Sequence, residues 1–228
     1  MIIYGKQVCL YAMRRHAEKI EKVYLTKKDA IPGELLKKFG PRTVFVENRH
    51  AQSMSRGGNH QGVLVKMEDF EEADAEEVKR ASFVVVLDSL TDTGNIGAIV
   101  RSAYALGVDA IVACGVKQLN FAAIARTSSG ALFDMPFSIR HNILDLLNEM
   151  KQSGFSCYGA SMEGRPVEEM RFEAKRLLVL GSEDRGIGSR AREKLDGTVS
   201  IVMKREFDSL NVSAAAAIII YRMSHAQR

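Results

Sequence analysis

From Ser82 onward the chain alternates short apolar runs with helix-like stretches, and few folds accommodate that alternation. Residues 83–87 (FVVVL) are apolar at every position, which fits a parallel strand covered on both faces. Further extended runs fall at residues 111–113, 155–159, 177–180 and 199–203. Helical patterns fall at 95–106, 143–151, 191–195 and 211–223. Gly107 is the natural stop of the helix that opens at Asn95. Strands alternating with helices specify an α/β domain built on a mostly parallel sheet. The last helix begins in a run of thirteen uncharged residues, 209–221, with Ala and Ile on every side. That composition predicts a helix buried all round.

The first 67 residues read as a smaller α/β domain. Helices are expected at 6–17 and 33–39, with strands at 22–26, 43–47 and 62–67. The expected division is 1–67 as a basic first domain, 68–80 as an acidic linker running into a helix start, and 81–228 as the second domain. Charge supports it. Residues 1–67 hold 13 Lys and Arg against 5 Asp and Glu, residues 68–80 hold 7 acids against 2 bases, and the rest is nearly neutral. A basic surface of that density suits a polyanion such as RNA, or is a plain solvated lysine face. The polar run 55–62 (SRGGNHQG) is either a flexible loop or one that meets a substrate. Cys9, Cys114 and Cys157 are odd in number and form no CxxC, and the histidines show no metal spacing. No disulfide framework and no metal site are expected, and a reducing cytoplasm is the expected location. No membrane span is expected either.

Three polar, glycine-containing blocks follow strands: residues 88–97 (DSLTDTGNIG), 181–188 (GSEDRGIG) and 209–213 (SLNVS). Ligands of open parallel sheets bind beyond the carboxyl ends of the strands, so the three blocks can line one site. In the first helix Ile96, Ile99, Val100 and Ala103 share a face, and Arg101 points about 140° away at 3.6 residues per turn. Arg101 is thus either a cleft residue or an ordinary surface arginine, and Asn95 either a ligand residue or a helix cap. Glu183 lies between two glycines where backbone can approach a ligand, or is a solvated turn acid. The blocks form neither a dinucleotide-binding fingerprint nor a Walker loop.

Taken together the blocks resemble the SpoU/TrmH family of RNA ribose 2′-O-methyltransferases, within the SPOUT superfamily. The family motifs are matched by residues 88–103 (DSLTDTGNIGAIVRSA), 180–186 (LGSEDRG) and 201–203 (IVM) followed by 209–213. The segment 129–132 (SGAL) with Pro136, the opening 3–6 (IYGK) and the turn 60–62 (HQG) are similar to further family segments, the last two in its RNA-binding domain. The likeness spans nearly the whole chain and points to the branch that modifies guanosine in 23S rRNA.

The resemblance implies an α/β fold whose C-terminal segment forms a trefoil knot. It also implies S-adenosyl-L-methionine as cofactor, a homodimer, and RNA rather than DNA as substrate. It assigns Gly181, Ile201, Met203 and Leu210 to the cofactor, and Asn95, Arg101, Glu183, Ser209 and Asn211 to catalysis. A tRNA substrate, or a catalytically silent RNA-binding protein on the same fold, are the alternatives. The chain departs from the family pattern at Val202, where Pro is usual, at Asp184 and Arg205, where Gly is common, and at Phe133, where an acid is often found.

Overall fold

A computed structural model describes residues 1–182, 184–205 and 208–225. They form two compact units, Met1–Glu71 with Asn120–Asp134, and Glu72–Leu119 with the remainder from Met135.

The first unit runs β1 (Ile2–Tyr4), α1 (Lys6–Arg15), β2 (Ile20–Leu25), α2 (Gly33–Phe39), β3 (Thr43–Phe45), α3 (Asn48–Met54) and β4 (Val63–Met67). Its sheet has the order β1-β4-β2-β3, with β4 antiparallel to both neighbours and β3 parallel to β2. The turn between α3 and β4 is built rather than loose. Ser55 Oγ–H donates to the Gly58 carbonyl at 2.9 Å, and His60 Nδ1 accepts the Gly62 N–H at 3.0 Å.

The second unit begins with α4 (Ala75–Arg80), capped by the Asp74 carboxylate on the Glu77 N–H, so the acidic stretch does run into a helix. β5 (Phe83–Asp88), α5 (Thr93–Ala105) and β6 (Ala110–Cys114) follow. The chain then supplies α6 (Phe121–Thr127) to the first unit before returning as β7 (Phe137–Arg140). α7 (Ile143–Gln152), β8 (Ser156–Pro166), β9 (Arg176–Leu180), α8 (Ser189–Arg192), β10 (Gly197–Ser200) and α9 (Val212–His225) complete it.

The sheet order is β10-β8-β9-β5-β6-β7 and every pairing is parallel. All residues of β5, β6 and β9 are buried, as a sheet covered on both faces requires. On one face Val84, Val86, Val112 and Val179 pack with Leu146, Leu147 and Met150 of α7 and Ala191 of α8. α5 and α9 pack against each other.

Two sequence expectations change. The strand expected over 199–203 ends at Ser200. β10 is an edge strand whose one partner is β8, and Ser200 pairs with Pro166, which has no N–H to extend the ladder. Ile201, Val202 and Met203 therefore leave the sheet as a loop. The helix expected to be buried all round is buried along one face, at Val212, Ala216, Ile219, Ile220 and Met223. Ile218 is 39% exposed and Tyr221 51%, because a single chain covers only one side of α9.

Candidate active site

Leu87 at the end of β5 lies beside Leu180 at the end of β9. From β5 the sheet continues to β6 and β7 on one side and to β9, β8 and β10 on the other, so chain order reverses here. A crevice opens beyond the strand ends at such a switch point. The loops leaving β5 and β9, residues 88–92 and 181–188, border it.

At the first loop Asp88 is 9% exposed and accepts the Ser89 Oγ–H at 3.2 Å. Ser89 adopts φ +60°, and a Cβ on Gly115 would stand 2.6 Å from its hydroxyl oxygen. Asp88 is in register with Cys114 of β6. Burial, and then the Asp88 charge, push the Cys114 thiol up to about 12, with Arg140 opposing the rise. The group is thus a thiol at neutral pH and no nucleophile.

The cap of α5 is Asp92, whose carboxylate accepts the Asn95 N–H at 2.7 Å. The sequence reading gave Asn95 as a possible cap. The helix instead starts two residues earlier, because Asp is an equally good cap one turn upstream. Asn95 then stands in the first turn with its side-chain amide available for another task. Asn211 Nδ2–H donates to Asn95 Oδ1 at 3.0 Å, joining positions 116 residues apart. On its other side Asn211 Oδ1 accepts the Ser213 N–H at 2.9 Å and the Ser213 hydroxyl at 2.6 Å. Asn211 is therefore both the cap of α9 and the tie to α5. Ser213 is a member of this network that the family pattern did not single out, although the Asn-x-Ser spacing marks an Asx-type turn.

Through this tie the first turns of two long helices come together. Each brings the positive end of its dipole, a setting that favours negative charge developing nearby. Arg101 lies on the exposed side of α5, opposite the buried Ile96, Ile99, Val100 and Ala103. Ser209 and Leu210 are exposed in the approach to α9, and Ile201 and Met203 are half-buried in the loop after β10. Glu183 lies outside the described residues.

The second loop turns back on itself. Gly186 N–H donates to the Ser182 carbonyl at 2.9 Å, with Gly186 at φ +61°. A Cβ on Gly181 would stand 2.1 Å from the Gly186 carbonyl carbon, so only glycine fits there. In the loop after β10 Val202 is 62% exposed, and in the approach to α9 Leu210 is 38% exposed. Among the described residues no three His, Cys, Asp or Glu side chains gather as a metal site would require. No helix of the described residues is long and apolar enough to cross a membrane.

Known proteins resemble this chain in sequence and fold. A sequence model described as the SpoU rRNA methylase family matches residues 82–221, and one described as RNA 2′-O ribose methyltransferase substrate binding matches residues 2–73. The Bacillus subtilis protein YacO, named as a TrmH-family tRNA/rRNA methyltransferase, is 32% identical over 199 residues, 83% of this chain and 80% of its own length. The 23S rRNA (guanosine-2′-O-)-methyltransferase RlmB of Neisseria meningitidis is 28% identical over 234 residues, covering 96% of this chain and 92% of its own. The crystal structure of the SpoU methyltransferase AviRb from Streptomyces viridochromogenes, in complex with AdoMet, superposes with a TM-score of 0.76 at 24% identity. That match covers 98% of this chain and 89% of AviRb.

Proposed function

Because the chain belongs to the SpoU rRNA methylase family, we propose that it methylates a ribose 2′-oxygen of structured RNA with S-adenosylmethionine as donor. The observation that carries the reading is the 3.0 Å tie between Asn95 and Asn211, which sets two helix starts at the mouth of the switch-point crevice. The residues present suit the cofactor. Gly181 admits a backbone turn that no side chain could share, and Ile201, Met203 and Leu210 offer an apolar surface to an adenine ring.

The bound cofactor supplies a methyl group on a sulfonium, which departs as a neutral thioether. The chain's own work is to align the ribose oxygen and to favour loss of its proton. Alignment of reactants is worth about 7–11 kcal/mol in favourable systems, and proton removal about 10²–10⁴-fold. A guanidinium serves in proteins as a cation and not as a base. The role of Arg101 is to hold an RNA phosphate or to stabilise the developing oxyanion, together with Ser209 and the dipoles behind Asn95 and Asn211, while the Glu183 carboxylate is the group suited to accept the ribose proton. Similarity to RlmB along 96% of the chain supports guanosine of 23S rRNA as the target, in the cytoplasm. Arg205 is not among the non-glycine residues that adopt left-handed φ, so its departure from the family glycine brings no strain of that kind.

The test is direct. Incubation with deproteinised 23S rRNA and S-adenosylmethionine, followed by digestion to nucleosides and mass spectrometry, should yield 2′-O-methylguanosine. Cofactor binding without any 2′-O-methyl nucleoside would refute the activity. Lack of cofactor binding at millimolar concentration would leave a silent RNA-binding protein.

The same reading makes the chain a homodimer with a knotted C-terminal segment. The exposed Ile218 and Tyr221 on α9 supply an apolar stripe for a second copy. Light scattering should give twice the chain mass for the wild type and the chain mass for Ile218→Glu. A monomeric wild type at micromolar concentration would overturn the dimer.

A further inference from the structure

We infer that Arg126 is an RNA phosphate contact of the first unit, contributed by the excursion between β6 and β7 rather than by the N-terminal 71 residues. The inference rests on the reading of the substrate as RNA.

Three segments meet at Gly5. A Cβ built there would lie 3.8 Å from the Asn59 carbonyl oxygen, 3.8 Å from Gln61 Oε1 and 4.0 Å from Arg126 Cγ. The Arg126 stem thus runs past Gly5, and its guanidinium carbon stands 5.3 Å from the centre of the Tyr4 ring. Gly58 confines the same ring, because a Cβ on it would come within 2.5 Å of Tyr4 Cε2 and the hydroxyl oxygen. Gln61 Oε1 accepts the Lys6 N–H at 2.9 Å and ties the turn to the start of α1. A guanidinium held over an aromatic ring still has its in-plane N–H groups to offer, and these can grip a phosphate through two hydrogen bonds.

The excursion itself is anchored, so Arg126 is positioned before RNA arrives. A Cβ on Gly130 would stand 2.6 Å from Cγ of Tyr11, which shows how closely the excursion presses on α1. Asp134, the acid at its end, is engaged by the Tyr11 hydroxyl, by Arg15 Nε at 3.2 Å and by His16 Nε2 at 3.3 Å. The segments 4–7, 55–61 and 121–129 carry Lys6, Arg56 and Arg126 and no carboxylate. Arg126 is exposed. An exposed guanidinium held over a ring, among segments that carry no carboxylate of their own, suits an anion, and in this protein the anion is the RNA backbone.

Fluorescence anisotropy of the full chain with a fluorescein-labelled RNA stem–loop, between about 50 and 200 mM salt, tests this. Arg126→Ala should weaken binding ~5–10-fold at the low end and reduce the slope of log K against log salt by about one. Arg126→Lys, which keeps the charge, should retain the slope. Lys22→Ala removes an exposed charge from β2 elsewhere on the unit and should change affinity by less than about twofold. Unchanged affinity and slope in Arg126→Ala would overturn the proposal, as would an equal loss in Lys22→Ala. A wild type that binds no RNA would sink the RNA reading as well. A wild type that methylates RNA alongside an Arg126→Ala variant of normal affinity would sink this inference alone.

Discussion

Alanine at Arg101 should abolish methyl transfer, lowering the single-turnover rate by about 10²–10⁴-fold, while cofactor affinity stays within about twofold. The buried stripe of α5 is formed by Ile96, Ile99, Val100 and Ala103, and Arg101 stands outside it. Alanine also favours helix, so the substitution should not lower the melting temperature. What is lost is a permanent positive charge on the exposed side of α5. Arg101→Lys restores the charge without the planar fork and should recover part of the rate if charge stabilisation is the role. It should recover little if two-pronged grip on a phosphate is the role. Rapid mixing of enzyme in excess over RNA at saturating cofactor measures the chemical step, and calorimetry measures cofactor binding separately. A near-normal single-turnover rate in Arg101→Ala would remove this residue from the mechanism.

The fold was legible where burial is uniform. Residues 83–87, 111–113 and 177–180 are strands that lie in the middle of a doubly covered sheet, so nothing polar interrupts them. β7, with the sequence FSIR, mixes polar and apolar residues near the sheet edge and left no comparable signal. Strand order was not legible. Alternation says that strands are parallel, but β8 enters the sheet beyond β9 and takes β10 as its outer neighbour, a choice fixed by long-range packing. The same holds for α6. Its residues follow β6 in sequence, yet they pack in the first unit, and no local pattern encodes a return of that kind.

For the candidate site, sequence marked the loops and the residue types but not their pairings. Asn95 was readable as a cap, yet Asp92 caps its helix, and it is Asn211 that caps α9. The hydrogen bond between Asn95 and Asn211 depends on α5 and α9 packing side by side, which no spacing within either helix can show. Ile201, Val202 and Met203 read as strand because they are apolar and two of them are β-branched. They leave the sheet because Pro166 ends the ladder on the neighbouring strand, a fact of register and not of local composition.

Gly181→Ala should weaken cofactor binding by up to about 100-fold, while leaving RNA affinity unchanged. The missing Cβ would stand 2.1 Å from the Gly186 carbonyl carbon, 2.4 Å from its oxygen and 2.4 Å from the Ile187 nitrogen. All three are backbone atoms, so no rotamer change relieves the clash. Movement toward the core is blocked as well. Ile187 is 4% exposed, and its Cδ1 lies 2.7 Å from where a Cβ on Gly159 would be, in a spot already filled. The turn must therefore shift toward the crevice and break the Gly186 to Ser182 hydrogen bond, on the side where the cofactor would lie. Overpacking of this kind costs about 1–3 kcal/mol, and its upper part corresponds to about 100-fold in affinity. Gly188→Ala is the matched control, because a Cβ there meets nothing within 4 Å and its φ of −57° suits alanine. Calorimetry should show normal cofactor binding in Gly188→Ala and binding weakened by up to about 100-fold in Gly181→Ala. Equal affinities in the two variants would mean that the turn after β9 does not form the cofactor wall, and the apolar surface of Ile201, Met203 and Leu210 would then have to hold the cofactor without it.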